Sequence, residues 1–173
     1  MHHAEYSNFS AGGDLKERYE EVVMSAEALF ADQSNWVCNA ANLSSLLWHL
    51  YLSVDKNVNW AGLYVQNPEK PGELILGPFQ GKVACQNIKI GKGVCGVAAD
   101  TKKTQLVNNV EEFPGHIACD GETKSEIVVP IVAQDGQVKG VIDIDCLYLN
   151  GFNETDQQYL EKLAALLIKY CKW

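Results

Sequence analysis

The sequence contains no CxxC pair, no surplus of positive charge and no apolar run near the roughly 20 residues that cross a bilayer. Each absence excludes something. Six cysteines are present, Cys38, Cys85, Cys95, Cys119, Cys146 and Cys171. Without CxxC pairs, and with Cys85, Cys95 and Cys119 irregularly spaced, they do not read as a zinc ribbon or finger, so no bound metal is expected. Lys and Arg number 14 against 22 Asp and Glu, giving a formal net charge of -8. Such a surface lacks the electrostatics of a nucleic-acid binder or of a polybasic contact with anionic lipid, and it suits a small cationic or zwitterionic ligand. The opening "MHHAEYSNFSAGG" has no positive start followed by an apolar core, so neither a signal peptide nor a transit peptide is expected. Residues 1–13, with His2 and His3, are read as a flexible segment. A cytoplasmic location follows, with the nucleus as a second compartment. In that reducing setting permanent bridges are disfavoured, so burial or redox chemistry has to account for the cysteines.

What is present can build a core. The chain has 173 residues, of which 47% are hydrophobic, enough for one domain over residues 14–173. Leu15, Tyr19, Val22, Ala26 and Leu29 form a one-sided helical stripe with Asp14 as its N-cap. A second helix is predicted from Asn42 to Val54, carried by Leu43, Leu46, Leu47 and Leu50. "NWAGLYV" and "ELILGPF" read as a hairpin around "NPEKPG", "CQNIKI" as another strand, and "GKGVCGVAA" as the entry to a short helix. "TQLVNNV" precedes a Pro/Gly/Asp-rich surface loop, "FPGHIACDGETK". Two further strands flank Gln134–Gln137, and a closing helix is capped by Asn153 and Asp156, with Phe152 placed for a hydrophobic staple. The order predicts an α+β fold: a central, mostly antiparallel sheet sandwiched between helices.

Chemistry concentrates in few places. Cys95 lies at the predicted start of the short helix, where the macrodipole lowers a thiol pKa, although it also packs as a small buried residue beside Gly96 and Ala98. Cys119 sits in the loop between His116 and Asp120, and Glu126, Asp143 and Asp145 follow it closely. Alternation in "GVIDIDC" puts Asp143 and Asp145 on one face and Ile142 and Ile144 on the other. Adjacent carboxylates among apolar neighbours repel unless a cation or a proton lies between them; the plainer reading is a polar outer face. Trp60, Gly62 and Tyr64 share a face, either as core or as an aromatic wall whose glycine gap would take a methyl or methylthio group. Cys38, Cys146 and Cys171 read as structural, and His49 as an ordinary helix residue.

At "LGPFQGKVAC", "GKGVCG", "FPGHIACDGETKSEIVVP" and "GVIDID" the chain resembles the free methionine-(R)-sulfoxide reductases, single-domain enzymes of the GAF fold. The resemblance implies reduction of free L-methionine-(R)-sulfoxide with Cys119 as nucleophile, Cys85 as resolving thiol and Cys95 as either an alternative resolving thiol or an auxiliary that passes the disulfide onward. It further implies a Cys119 sulfenic acid, then a Cys85–Cys119 disulfide recycled by thioredoxin, with NADPH spent through thioredoxin reductase and no cofactor bound. Trp60, Tyr64, Glu126, Asp143 and Asp145 would bind the substrate, and a homodimer is expected. Two other readings compete: a GAF small-molecule sensor, and a thiol redox sensor without substrate turnover.

Overall fold

In the computed structural model, residues 8–9, 13–116 and 119–173 are described. Most of the segment expected to be flexible, including His2 and His3, lies outside them, as do Ile117 and Ala118 of the cysteine loop. Two helices, α1 (Leu15–Phe30) and α2 (Trp36–Ser53), precede the strands β1 (Val58–Gln66), β2 (Glu73–Gly81) and β3 (Asn87–Lys89). Helix α3 (Gly93–Thr101), β4 (Gln105–Val107), a 3-10 turn (Val110–Glu112), β5 (Ser125–Val132), β6 (Val138–Cys146) and α4 (Glu154–Tyr170) follow. The six strands form one sheet in the order β3-β2-β1-β6-β5-β4, and every pairing is antiparallel. This is the α+β sandwich that the alternation of apolar runs predicts.

The two faces of the sheet carry different loads. One packs Leu63, Ile127, Ile142 and Ile144 against Tyr19, Leu47, Leu163 and Leu167 of α1, α2 and α4. The other packs Trp60, Tyr64, Val128 and Val141 against Val94, Cys95 and Ala98 of α3. Burying apolar area on the first face stabilises the fold, and the smaller second face leaves room for polar groups. Gly96 brings α3 close: a Cβ there would lie 2.3 Å from the Lys89 carbonyl oxygen.

Four local expectations are amended. Helix α2 begins at Trp36, six residues before Asn42, because the Asn35 side chain caps it by accepting from Cys38 N at 3.0 Å. Asp14 occupies the N-cap position of α1 without a side-chain capping bond. The strand expected over "CQNIKI" contracts to three residues, leaving Cys85 in the connection before it. Asn153 and Asp156 do form the reciprocal capping box of α4. The staple position for Phe152 on α4 is the polar Gln157, and the Phe152 ring meets Tyr51 of α2 edge-on, with 6.0 Å between centroids.

Candidate active site

Three central strands build the floor of one pocket. In register, Trp60 on β1 opposes Asp145 on β6, which opposes Glu126 on β5; one step along, Gly62 opposes Asp143, which opposes Val128. Side chains alternate, so Ile142 and Ile144 enter the large core while Asp143 and Asp145 face α3. The pocket is lined by Trp60, Tyr64, Cys95, Cys119, Glu126, Asp143 and Asp145, with Asn59, Lys82 and His116 among the others around it. Seven of the eight residues expected at the site line this pocket, and the eighth, Cys85, is joined to it through its bond to Cys119. The free space within it is about 30 Å³, room for one or two water molecules.

The acids are held in an environment that disfavours their charge. Burial raises the Glu126 carboxyl well above its usual range, and the charge of Asp145 adds to it. Asp143 is raised by burial and then by Glu126. Asp145, half-buried at the rim, is raised by burial and then by Asp143. His116 Nε2 lies 3.7 Å from Glu126 Oε2, and burial lowers its pKa, so it supplies little positive charge. Asp143 Oδ1 and Trp60 Nε1 are buried without a hydrogen-bond partner among the described residues. An unpaired acceptor and an unpaired donor in one pocket are costly unless a ligand meets them.

Helix-terminus physics does not prevail at Cys95. Its sulfur is buried 4.0 Å from Glu126 Oε1, and burial, then Asp143 and Glu126, push the thiol well above its usual pKa. The expected lowering fails because desolvation and two carboxyls outweigh a nine-residue helix. Cys95, Glu126 and Asp143 bring one sulfur and two carboxylates within 4.8 Å of one another. These atoms are of metal-ligand type, a grouping that no sequence spacing announced.

Cys85 and Cys119 are joined as a disulfide, with 5.5 Å between their Cα atoms and a sequence separation of 34. The Tyr64 hydroxyl donates to the Cys85 carbonyl at 2.9 Å, tying the connection to the sheet. Cys38, Cys146 and Cys171 are free and lie outside the pocket.

The aromatic wall departs from the expectation in one respect. Trp60 stacks between Tyr64 (5.6 Å) and Phe79 (5.2 Å). The gap at Gly62 is filled by Phe79, whose Cβ would lie 2.3 Å from a Cβ on the glycine. The glycine therefore admits a neighbour on β2, not a substrate methyl group; Trp60 and Tyr64 themselves remain pocket-lining.

Asn59, Lys82 and Thr123 escaped the sequence reading. Strict alternation puts Asn59 on the face opposite Trp60, but the β1–β6 register shifts between Val58 and Trp60, and that irregularity turns Asn59 toward the pocket. Lys82 and Thr123 lie in connections, where periodicity carries no signal.

The GAF domain family model matches residues 40–167. A free methionine-R-sulfoxide reductase of Saccharomyces cerevisiae is 57% identical over 171 residues, covering 99% of this chain and 95% of that one. One of Escherichia coli is 40% identical, covering 88% of each. The solved structure of the free methionine-R-sulfoxide reductase from Neisseria meningitidis, in complex with its substrate, superposes with a TM-score of 0.85 at 39% identity, covering 94% of this chain and 93% of that one.

Proposed function

Since the chain belongs to the GAF-domain free methionine-R-sulfoxide reductases and is an oxidoreductase acting on free methionine-(R)-sulfoxide, we propose that it does so through Cys119 and Cys85. The Cys119 thiolate attacks the sulfoxide sulfur. The sulfoxide oxygen takes up a proton and passes to the Cys119 sulfur as its bond to the methionine sulfur breaks, so methionine departs as the thioether and Cys119 is left as a sulfenic acid that carries that oxygen. The Cys85 thiol then displaces that hydroxyl as water and forms the disulfide. Thioredoxin returns both thiols to the reduced state by exchange, its own electrons coming from NADPH through thioredoxin reductase. The observation that carries this reading is the Cys85–Cys119 bond at the edge of an acid-lined pocket.

The other residues take roles that follow from their surroundings. Burial makes these carboxyls hold their protons to higher pH than ordinary ones, so one of Glu126, Asp143 and Asp145 donates to the sulfoxide oxygen as it becomes basic. An ionised member meets the substrate ammonium, which compensates charge that the pocket otherwise tolerates poorly. A peptide-bound methionine lacks that ammonium and leaves the acids unpaired, so it is rejected. Trp60 and Tyr64 offer the apolar surface for the methylthio end. Cys95, with its raised thiol, serves as an auxiliary that passes the disulfide onward and not as the first nucleophile. The enzyme works as a homodimer in the cytoplasm with no bound cofactor; no helix among the described residues is long and apolar enough to cross a membrane.

The test is thioredoxin-coupled NADPH oxidation with free L-methionine-(R)-sulfoxide, the (S) epimer and an N-blocked (R) derivative supplied separately. Turnover confined to the free (R) compound is expected. No turnover with any of the three by folded, reduced protein returns the chain to a sensor reading.

A further inference from the structure

The segments that carry the two cysteines meet through more than their sulfur atoms. Asn59, buried on β1 directly before Trp60, donates from Nδ2 to Asp120 Oδ2 and to Thr123 Oγ1, each at 3.0 Å. Asp120 adjoins Cys119. Its second carboxylate oxygen accepts from Glu122 N at 3.0 Å, and Thr123 N donates to its carbonyl at 3.3 Å, so residues 120–123 close into a turn pinned to the sheet. Lys82 lies three positions before Cys85, on the other segment. Its ammonium pairs with Glu122 and lies 3.4 Å from Asp120 Oδ2. An ion pair therefore spans the same two segments as the disulfide. None of these contacts involves a side-chain atom of either cysteine.

We propose that Asn59 and Lys82 form a non-covalent clasp that keeps the Cys119 turn against the Cys85 segment while the disulfide is open, raising the effective concentration of one sulfur at the other. The proposal rests on Cys85 being the thiol that meets Cys119 in turnover. Closing an intramolecular disulfide is governed by how often the two sulfurs meet, and groups that hold their segments together raise that frequency without touching the reacting atoms. Asn59 and Lys82 are in that sense positioning residues. The two contacts differ in kind. Asn59 acts through one buried and one part-buried hydrogen bond, and leaving their partners unpaired is expensive. Lys82 is exposed, and its contribution is modest and sensitive to salt. Asp120 suits the role: the Glu122 backbone N–H, then Asn59 and Lys82, keep its carboxyl below the usual range and therefore ionised.

The experiment equilibrates the protein with mixtures of reduced and oxidised glutathione and measures the Cys85–Cys119 effective concentration without any sulfoxide. Two protein thiols become one disulfide as glutathione disulfide becomes two thiols. Asn59→Ala is expected to lower the effective concentration about tenfold. Lys82→Met should lower it about threefold, and Lys82→Arg should retain it. Added salt should bring the native protein toward the Lys82→Met value while leaving that variant unchanged. Should Asn59→Ala fail to fold, the Lys82 variants and their salt response decide alone. Effective concentrations within twofold of the native value in Lys82→Met, with no salt dependence, overturn the proposal. Because no sulfoxide is present, this result stands apart from the substrate assay, and a failure of either leaves the other readable.

Discussion

Asp143 is where the chemistry of single residues is most exposed to test. It is buried, one of its oxygens has no hydrogen-bond partner among the described residues, and a carboxylate oxygen lies within 4.8 Å of the Cys95 sulfur and a Glu126 carboxylate oxygen. Asp143→Ala is expected to lower kcat/KM for the free (R)-sulfoxide about a hundredfold or more, within the range of general acid catalysis; steady-state kinetics reads it directly. The same group governs stability against pH. Its folded pKa is raised, as are those of Glu126 and Asp145. Their contribution is therefore complete below the ordinary carboxyl range near pH 4 and is lost as pH rises through the folded values. Urea denaturation of the empty enzyme between pH 4 and pH 8 should show stability falling with pH from this source. Asp143→Asn, which removes one titrating group, should flatten the slope. At this scale the sequence was informative: the Asp143/Asp145 alternation held because β6 is regular there. Asn59 was invisible because a register shift in β1 breaks the alternation that would have placed it.

Among the elements, the contact between α1, α2 and α4 depends on a buried polar knot. Asp156 accepts from Tyr19 at 2.9 Å and from Asn153 N at 2.8 Å, and pairs with Lys56 at 2.6 Å. Tyr19 and Tyr51 bond each other through their hydroxyls. Asp156→Ala removes one half of the capping box and leaves Lys56 and the Tyr19 hydroxyl without their acceptor, so a loss of about 3 to 5 kcal/mol is expected; chemical denaturation measures it. Asn153→Ala removes only the cap and should cost about 1 kcal/mol. The capping box was readable because its residues are neighbours in sequence. The Tyr19, Tyr51 and Lys56 partners were not, since they converge from elements 100 or more positions from Asp156. Phe152 shows the same limit: its apolar character was plain, its partner on α2 was not.

For the whole molecule, the disulfide links the β2–β3 connection to the loop before β5 and closes a span of 34 positions. The chain-entropy relation gives such a cross-link about 4 kcal/mol against the unfolded state. Reduction should therefore lower the thermal midpoint by about 10 °C. Differential scanning calorimetry with and without reductant checks this, and Cys85→Ser should match the reduced protein in both conditions. The layered fold followed from the order of apolar runs and turn residues. The pairing of Cys85 with Cys119 did not follow from spacing; it came through the motifs around them, because loops carry no periodic signal for where they meet.

The most direct measurement is a single turnover: fully reduced protein, no thioredoxin, excess free L-methionine-(R)-sulfoxide, with methionine released and thiols remaining counted together. The account predicts about one methionine per chain with loss of the Cys85 and Cys119 thiols in the native protein, the same first release from Cys85→Ser, and none from Cys119→Ser. Full methionine release by Cys119→Ser would contradict it and move the attacking thiol elsewhere in the pocket.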